Sequence, residues 1–287
     1  MLAMVLQRTR RSIVGRLRTT SWRAFEDSKR WAQNLGAKPT DRQIFIFGCQ
    51  RSGTTHLERL FRADPRSAVF GEFSDLSIGP RKTAWRPLDE VMDRCTSTGA
   101  TYTVARSLYA SHRATEILDA AGGSGAIAVW MYREPHAVVA SMIRKWGPDF
   151  REVSRSVESD AEGRWDLADF WTIVAQLSDD HYDQEGCSKL RNFYGAYWYL
   201  RNRTFFDLNL DQDARIMPVD YASLVADPDA FVQAMRDRIG LSAPPMAFPI
   251  ATSTARAPRR DVSGMSARLE TLCDDLYARL RAAERPA

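Results

Sequence analysis

An α/β fold, a doubly wound parallel sheet flanked by helices, is expected from three features of this 287-residue chain. Short apolar runs alternate with helical patterns from Gln43 onward. The apolar runs are continuous, as strands buried on both faces require, and the first leads straight into a glycine-bounded loop. Length and a hydrophobic content of 44% suffice for one large domain with a buried core.

The elements follow in order. Ile44 to Phe47 is a central strand, and Gly53 to Arg62 reads as the helix after it. Ser67 to Phe70 is a second strand, ending at Gly71 and Glu72. Tyr102 to Ala105 is a third, followed by a helix through Ala120 and a loop at Gly122-Gly123-Ser124-Gly125. Ala126 to Tyr132 is the strongest strand, and Pro135 suits the first position of a helix running to about Lys145. Residues 146 to 190 break the rhythm with a polar stretch and a helix around Asp166 to Leu177. An insertion of that length beside a ligand site is expected to form a helical lid over the acceptor. Leu190 to Leu208 is an aromatic-rich helix whose Phe193 to Phe206 portion is expected to shape the acceptor pocket. Arg215 to Val219 is a fifth strand, weakened by Pro218, which cannot donate a ladder hydrogen bond. Helices at Pro228 to Ile239 and about Ser263 to Arg281 close the chain.

Charge divides the chain at its start. The whole carries 40 basic and 36 acidic residues, but residues 1 to 25 hold six arginines and no acid, leaving 34 basic against 36 acidic in the remainder. A near-neutral body gives no support for nucleic-acid binding. Residues 1 to 42 are read as a basic N-terminal segment, either a solvated tail or an amphipathic helix in peripheral contact with an anionic membrane or a partner. Residues 43 to 287 form the main domain. No apolar run approaches the roughly 18 residues that span a bilayer, and the opening run is too short for a signal-peptide core, so a cytoplasmic location is expected. Cys49, Cys95, Cys187 and Cys273 are spaced for neither a zinc site nor a disulfide framework.

Gly48-Cys49-Gln50-Arg51-Ser52-Gly53-Thr54-Thr55 is a phosphate-binding loop, which makes the fold P-loop type. A strand, a glycine-bounded loop and a helix in succession gather backbone N–H groups and the positive end of a helix dipole at one point. The spacing matches G-x-x-x-x-G-K-[ST], except that Thr54 stands where lysine should be. Nucleotide kinases use that lysine, with magnesium, against crowded phosphates. Transfer of the less charged sulfuryl group can rely on one arginine, Arg51, and the loop amides, with no metal. After the strongest strand, Arg133 and Ser141, eight residues apart, can converge on one phosphate at the carboxyl edge of the sheet.

On Arg51 to Thr55, and on Arg133-x-Pro135 with Ser141, the sequence resembles the sulfotransferases that use 3′-phosphoadenosine 5′-phosphosulfate, PAPS. The resemblance implies that Gln50, Arg51, Ser52, Gly53, Thr54 and Thr55 hold the 5′-phosphosulfate and that Arg133 and Ser141 hold the 3′-phosphate. The segment Asp220 to Pro228 is similar to a family segment whose glutamate is here Ala222, so its role is structural. Arg256, Arg259 and Arg260 fall where the family closes a loop over the cofactor, or are simply solvated.

The implied reaction moves a sulfuryl group from PAPS to an acceptor hydroxyl of a carbohydrate, lipid-linked glycan or small natural product, releasing 3′,5′-ADP. A base must take the hydroxyl proton. The family's cytosolic branch uses a histidine, but Arg106-Ser107-Leu108 puts leucine at that position. The carbohydrate and tyrosylprotein branch uses a glutamate, and Glu72, 21 residues after Arg51, has that branch's spacing. Burial would have to raise its pKa. Arg106, where the family often has lysine, is assigned to charge stabilisation. His56, His112, His136 and His181 are read as helix-surface or structural residues, with His112 the second candidate base. The alternatives are a P-loop small-molecule kinase and a nucleotide-binding protein without catalysis.

Overall fold

The computed structural model describes residues 24–29, 31, 33, 40–79, 84–122, 125–147, 176, 187–241 and 264–284, with the side chains of 187–189 excepted. Five strands form one parallel sheet: β1 (Gln43–Gly48), β2 (Ser67–Phe70), β5 (Tyr102–Arg106), β6 (Ala126–Tyr132) and β7 (Ile216–Asp220), in the order β2-β5-β1-β6-β7. A two-stranded antiparallel ribbon, β3 (Ser77–Ile78) with β4 (Ala84–Trp85), stands apart from it.

Alternation along the central strands builds two cores. Phe45 and Phe47 of β1 and Ala128, Trp130 and Tyr132 of β6 face one side, while Ile44, Ile46, Ile127, Val129 and Met131 face the other. Both sides are apolar because both are covered, which is why the strands read as continuous hydrophobic runs. On the second face lie α1 (Thr54–Arg62), through Leu57 and Phe61, and α7 (Pro228–Arg238), through Val232 and Met235, with Leu224 of the short α6 (Tyr221–Ala226). The first face is covered by α2 (Leu88–Thr96), α3 (Ala114–Ala120), α4 (Pro135–Trp146), α5 (Cys187–Asp207) and α8 (Ala267–Ala283). The expected doubly wound parallel sheet is the one found.

Pro218 is tolerated because β7 is an edge strand, with β6 on one side only. The aromatic helix differs from expectation. Phe193, Tyr194, Tyr197, Trp198 and Phe205 of α5 are 0–2% exposed and form the core between the sheet, α4 and α8, so packing rather than a pocket accounts for them. Most of the insertion, the segment 242–263 with Arg256, Arg259 and Arg260, and residues 1–23 lie outside the described residues. Part of the N-terminal segment is docked on the domain. Residues 24–29 are helical, and buried Lys29 donates through Nζ to Ser67 Oγ at 3.0 Å and to the Arg62 carbonyl at 3.1 Å. No helix among the described residues is long and apolar enough to cross a membrane.

Candidate active site

β1 delivers the phosphate-type loop at the carboxyl edge of the sheet. Gly48 (φ 121°) and Gly53 (φ 94°) hold backbone conformations that disfavour side chains, and each is also closely packed. A Cβ on Gly48 would strike the Met131 carbonyl of β6, and one on Gly53 would strike the ring of Tyr221. Arg51 takes a left-handed φ of 68° without being glycine, a strain of the kind found at ligand clamps. Gly53 is the N-cap of α1 and supplies no side-chain cap, so the first-turn amides of the helix face the loop.

The loop is held from below by residues that sequence motifs did not single out. Gly48 N donates to Ser111 Oγ at 3.1 Å, and the Tyr197 hydroxyl donates to Gln50 Oε1. Arg201, 3% exposed within the aromatic face of α5, donates to the carbonyls of Leu108 and, at 3.5 Å, Gly48. The one legible signal for Arg201 was an arginine at helical spacing from Tyr194, Tyr197, Trp198 and Phe205. Cys49 is fully buried, and burial pushes its thiol up to about 12 against the opposing pull of Arg201.

At one end of the loop the cations gather. Arg51 Nε donates to Ser141 Oγ at 3.2 Å. Burial lowers the pKa of Arg51, and the neighbouring charges of Arg144 and Arg133 lower it further. The guanidinium of Arg133 lies 4.6 Å from the ring centroid of Tyr221, the ring that also packs on Gly53, and Trp198 Nε1 fixes the Arg133 carbonyl at 3.0 Å. Arg51 and Ser141 are therefore joined directly, with Arg133 and Arg144 close by. Arg133 and Arg144 both act on Arg51, and guanidinium groups gathered beside a helix N-terminus are the chemistry that an anion site would need.

At the other end lies Glu72, immediately past β2 and 6% exposed. Its Oε1 accepts the N–H of Leu108 at 2.8 Å and of Tyr109 at 3.2 Å, and its Oε2 lies 3.0 Å from the same Leu108 nitrogen. Burial dominates and pushes its pKa up to about 7, against the lowering pull of Arg106, the two backbone N–H groups and Arg201. Arg106, at the end of β5, pairs through Nε with Glu58 Oε2 at 2.7 Å and donates through Nη1 to Thr55 Oγ1 at 2.7 Å, with Thr54 Oγ1 at 3.5 Å. Glu58, anchored in turn by Arg62 Nε at 2.8 Å, thus orients Arg106 against the loop threonines, and the charge of Arg106 acts on Glu72. Both Glu72 and Arg106 line a cleft of about 830 Å³ that runs along the edge strand β2, with Lys29, Gln33 and Arg94 among its polar walls. His56, expected to be structural, sits edge-on to Tyr221 with its pKa lowered by burial and by Arg59.

Residues 43–122, which include the loop, Glu72 and Arg106, match the model of the sulfotransferase family. Among solved structures the chain is similar to a sulfotransferase from Alicyclobacillus acidocaldarius, at 17% identity over 84% of this chain and 93% of that one, with a TM-score of 0.45. It is also similar to the sulfotransferase domain of the Synechococcus PCC 7002 olefin synthase, at 17% identity over 87% of this chain and 90% of that one, with a TM-score of 0.40. A search of curated proteins gives no significant match.

Proposed function

We propose that this chain is a sulfotransferase that moves a sulfuryl group from PAPS to an acceptor hydroxyl, with Glu72 as the base. The observation that carries the reading is the placement of Glu72, a buried carboxylate on the wall of the cleft along β2 that also holds Arg106, the arginine bonded to Thr55 of the loop; burial pushes its pKa up to about 7. A carboxylate with a pKa near the working pH is partly ionised yet basic enough to take a proton, which is what attack by a hydroxyl demands.

The residues present fit the nucleotide. The crowded Arg51, Arg133 and Arg144, with the Ser141 hydroxyl, suit a 3′-phosphate and the adjoining charge, and the loop amides with Thr54 and Thr55 suit a 5′-phosphosulfate. When bound, PAPS supplies the sulfur, whose bond to the phosphate oxygen breaks as the acceptor oxygen bonds to it. Glu72 then receives the acceptor proton, and Arg51, Arg106 and the loop amides stabilise charge on the group in transit and on the departing phosphate. This chemistry assigns no role to a metal. The polar walls of the cleft favour a hydroxyl-rich acceptor such as a carbohydrate, a lipid-linked glycan or a small natural product.

Calorimetric titration separates this reading from a kinase. In EDTA the chain is expected to bind 3′,5′-ADP at least about tenfold more tightly than 5′-AMP, since charged hydrogen bonds to the 3′-phosphate contribute on that scale. Preference for ATP with magnesium over 3′,5′-ADP would contradict it.

A further inference from the structure

A second cluster lies away from the loop, where α8 crosses the start of α4. His136, the second residue of α4, points its Nε2 at Glu270 Oε1 (3.6 Å) and Asp274 Oδ1 (3.7 Å), which stand one helical turn apart on α8. Donor atoms of all three lie within 4.8 Å of one another. Glu134 Oε1, which caps α4 by accepting the His136 N–H at 3.1 Å, is 3.9 Å from the same imidazole nitrogen.

These separations are too long for hydrogen bonds, yet the atoms converge. They match a shared central ion. Donors bound tetrahedrally to zinc at about 2.0–2.2 Å sit about 3.3–3.6 Å apart, close to the 3.6 Å and 3.7 Å that separate the imidazole from the two carboxylates, and all three donor atoms lie within 4.8 Å of one another. The imidazole side chain is 15% exposed and that of Asp274 59%, so the cluster has a sheltered floor and an open route of entry.

We propose that His136, Glu270 and Asp274 form a binding site for a divalent transition-metal ion, zinc by its donor set, with Glu134 or water completing the coordination. One imidazole and two carboxylates suit zinc better than magnesium or calcium, which take oxygen donors alone. The ion clips α8 to the turn after β6, next to Arg133, and is structural: it takes no part in sulfuryl transfer and stands whether or not that reading does.

The test uses tag-free full-length protein stripped with EDTA and titrated with zinc chloride, with bound metal counted by mass spectrometry. One equivalent per chain with a micromolar or tighter dissociation constant is expected, along with a zinc-dependent rise in thermal midpoint. His136→Gln and Glu270→Gln should each weaken binding at least about tenfold, the scale on which lost ligand support acts. Circular dichroism checks that each is folded, and Asp274→Asn, at the most exposed ligand, replaces any that is not. Failure to bind one equivalent, or zinc binding unchanged by these substitutions and hence seated on thiols or elsewhere, would overturn the proposal.

Discussion

The carboxylate of Glu72 accepts the backbone N–H of Leu108 at 2.8 Å, tying the end of β2 to the turn after β5 across 36 residues. Leu108 is the position at which the sequence resemblance called for a histidine. Glu72→Gln preserves the shape and one acceptor oxygen while removing basicity. Steady-state turnover should fall by about 10²–10⁴, the usual worth of a general base, with 3′,5′-ADP affinity changed less than about threefold. The wild-type rate should rise with pH through about 7 and the variant's residual rate should not.

The same burial makes Glu72 costly to ionise. Its folded pKa is raised from 4.5 to about 7, so the stability it contributes is whole below pH 4.5 and is lost as pH rises through 7. Urea unfolding at pH 8 should find Glu72→Gln more stable than wild type by on the order of 3 kcal/mol. At pH 4 the two should coincide. Equal stability at both pH values would mean that the carboxyl is not held at a raised pKa.

Ser141 meets Arg51 directly, so the two should act together on the nucleotide. Ser141→Ala is expected to weaken 3′,5′-ADP binding by about tenfold or more and to leave 5′-AMP binding unchanged, as the loss of one charged hydrogen bond requires. Calorimetry on both nucleotides checks it, and an equal loss for both would assign Ser141 to loop support instead.

Asp64 anchors the far side of the sheet. It accepts from the Tyr102 hydroxyl at 3.1 Å and from Arg66 Nε at 3.2 Å, and pairs with Arg236 Nε at 3.3 Å, the arginine being 0% exposed. Asp64→Ala leaves that guanidinium buried without its partner and should cost about 3–5 kcal/mol in denaturant unfolding.

How much of this was legible in the sequence depends on where each signal lay. The five main strands were, because burial on both faces leaves continuous apolar runs such as Ile44 to Phe47 and Ala126 to Tyr132. The loop was, because its glycines are spaced by geometry alone. The ribbon of Ser77–Ile78 with Ala84–Trp85 was not, since two-residue strands have no period to read. Helix α2 does carry a helical period in Leu88, Val91, Met92 and Cys95, a signal overshadowed by the stronger strand pattern around it. At the site, Glu72 and Arg106 stood at strand ends and could be named from sequence. Glu58, Ser111, Tyr197 and Arg201 could not, because their roles exist only through contacts between distant elements. The aromatic residues of α5 were visible as a group, but whether they faced a pocket or a core was decided by α4 and α8 packing over them.

The central claim, sulfuryl transfer with Glu72 as base, is tested most directly by incubating the purified chain with ³⁵S-labelled PAPS and an extract of candidate acceptors, then following the label. The account predicts that label enters a product with wild-type protein and 3′,5′-ADP is released in equal amount, and that Glu72→Gln does neither. Label transfer undiminished in Glu72→Gln, or none with a wild-type chain that binds 3′,5′-ADP, would contradict it.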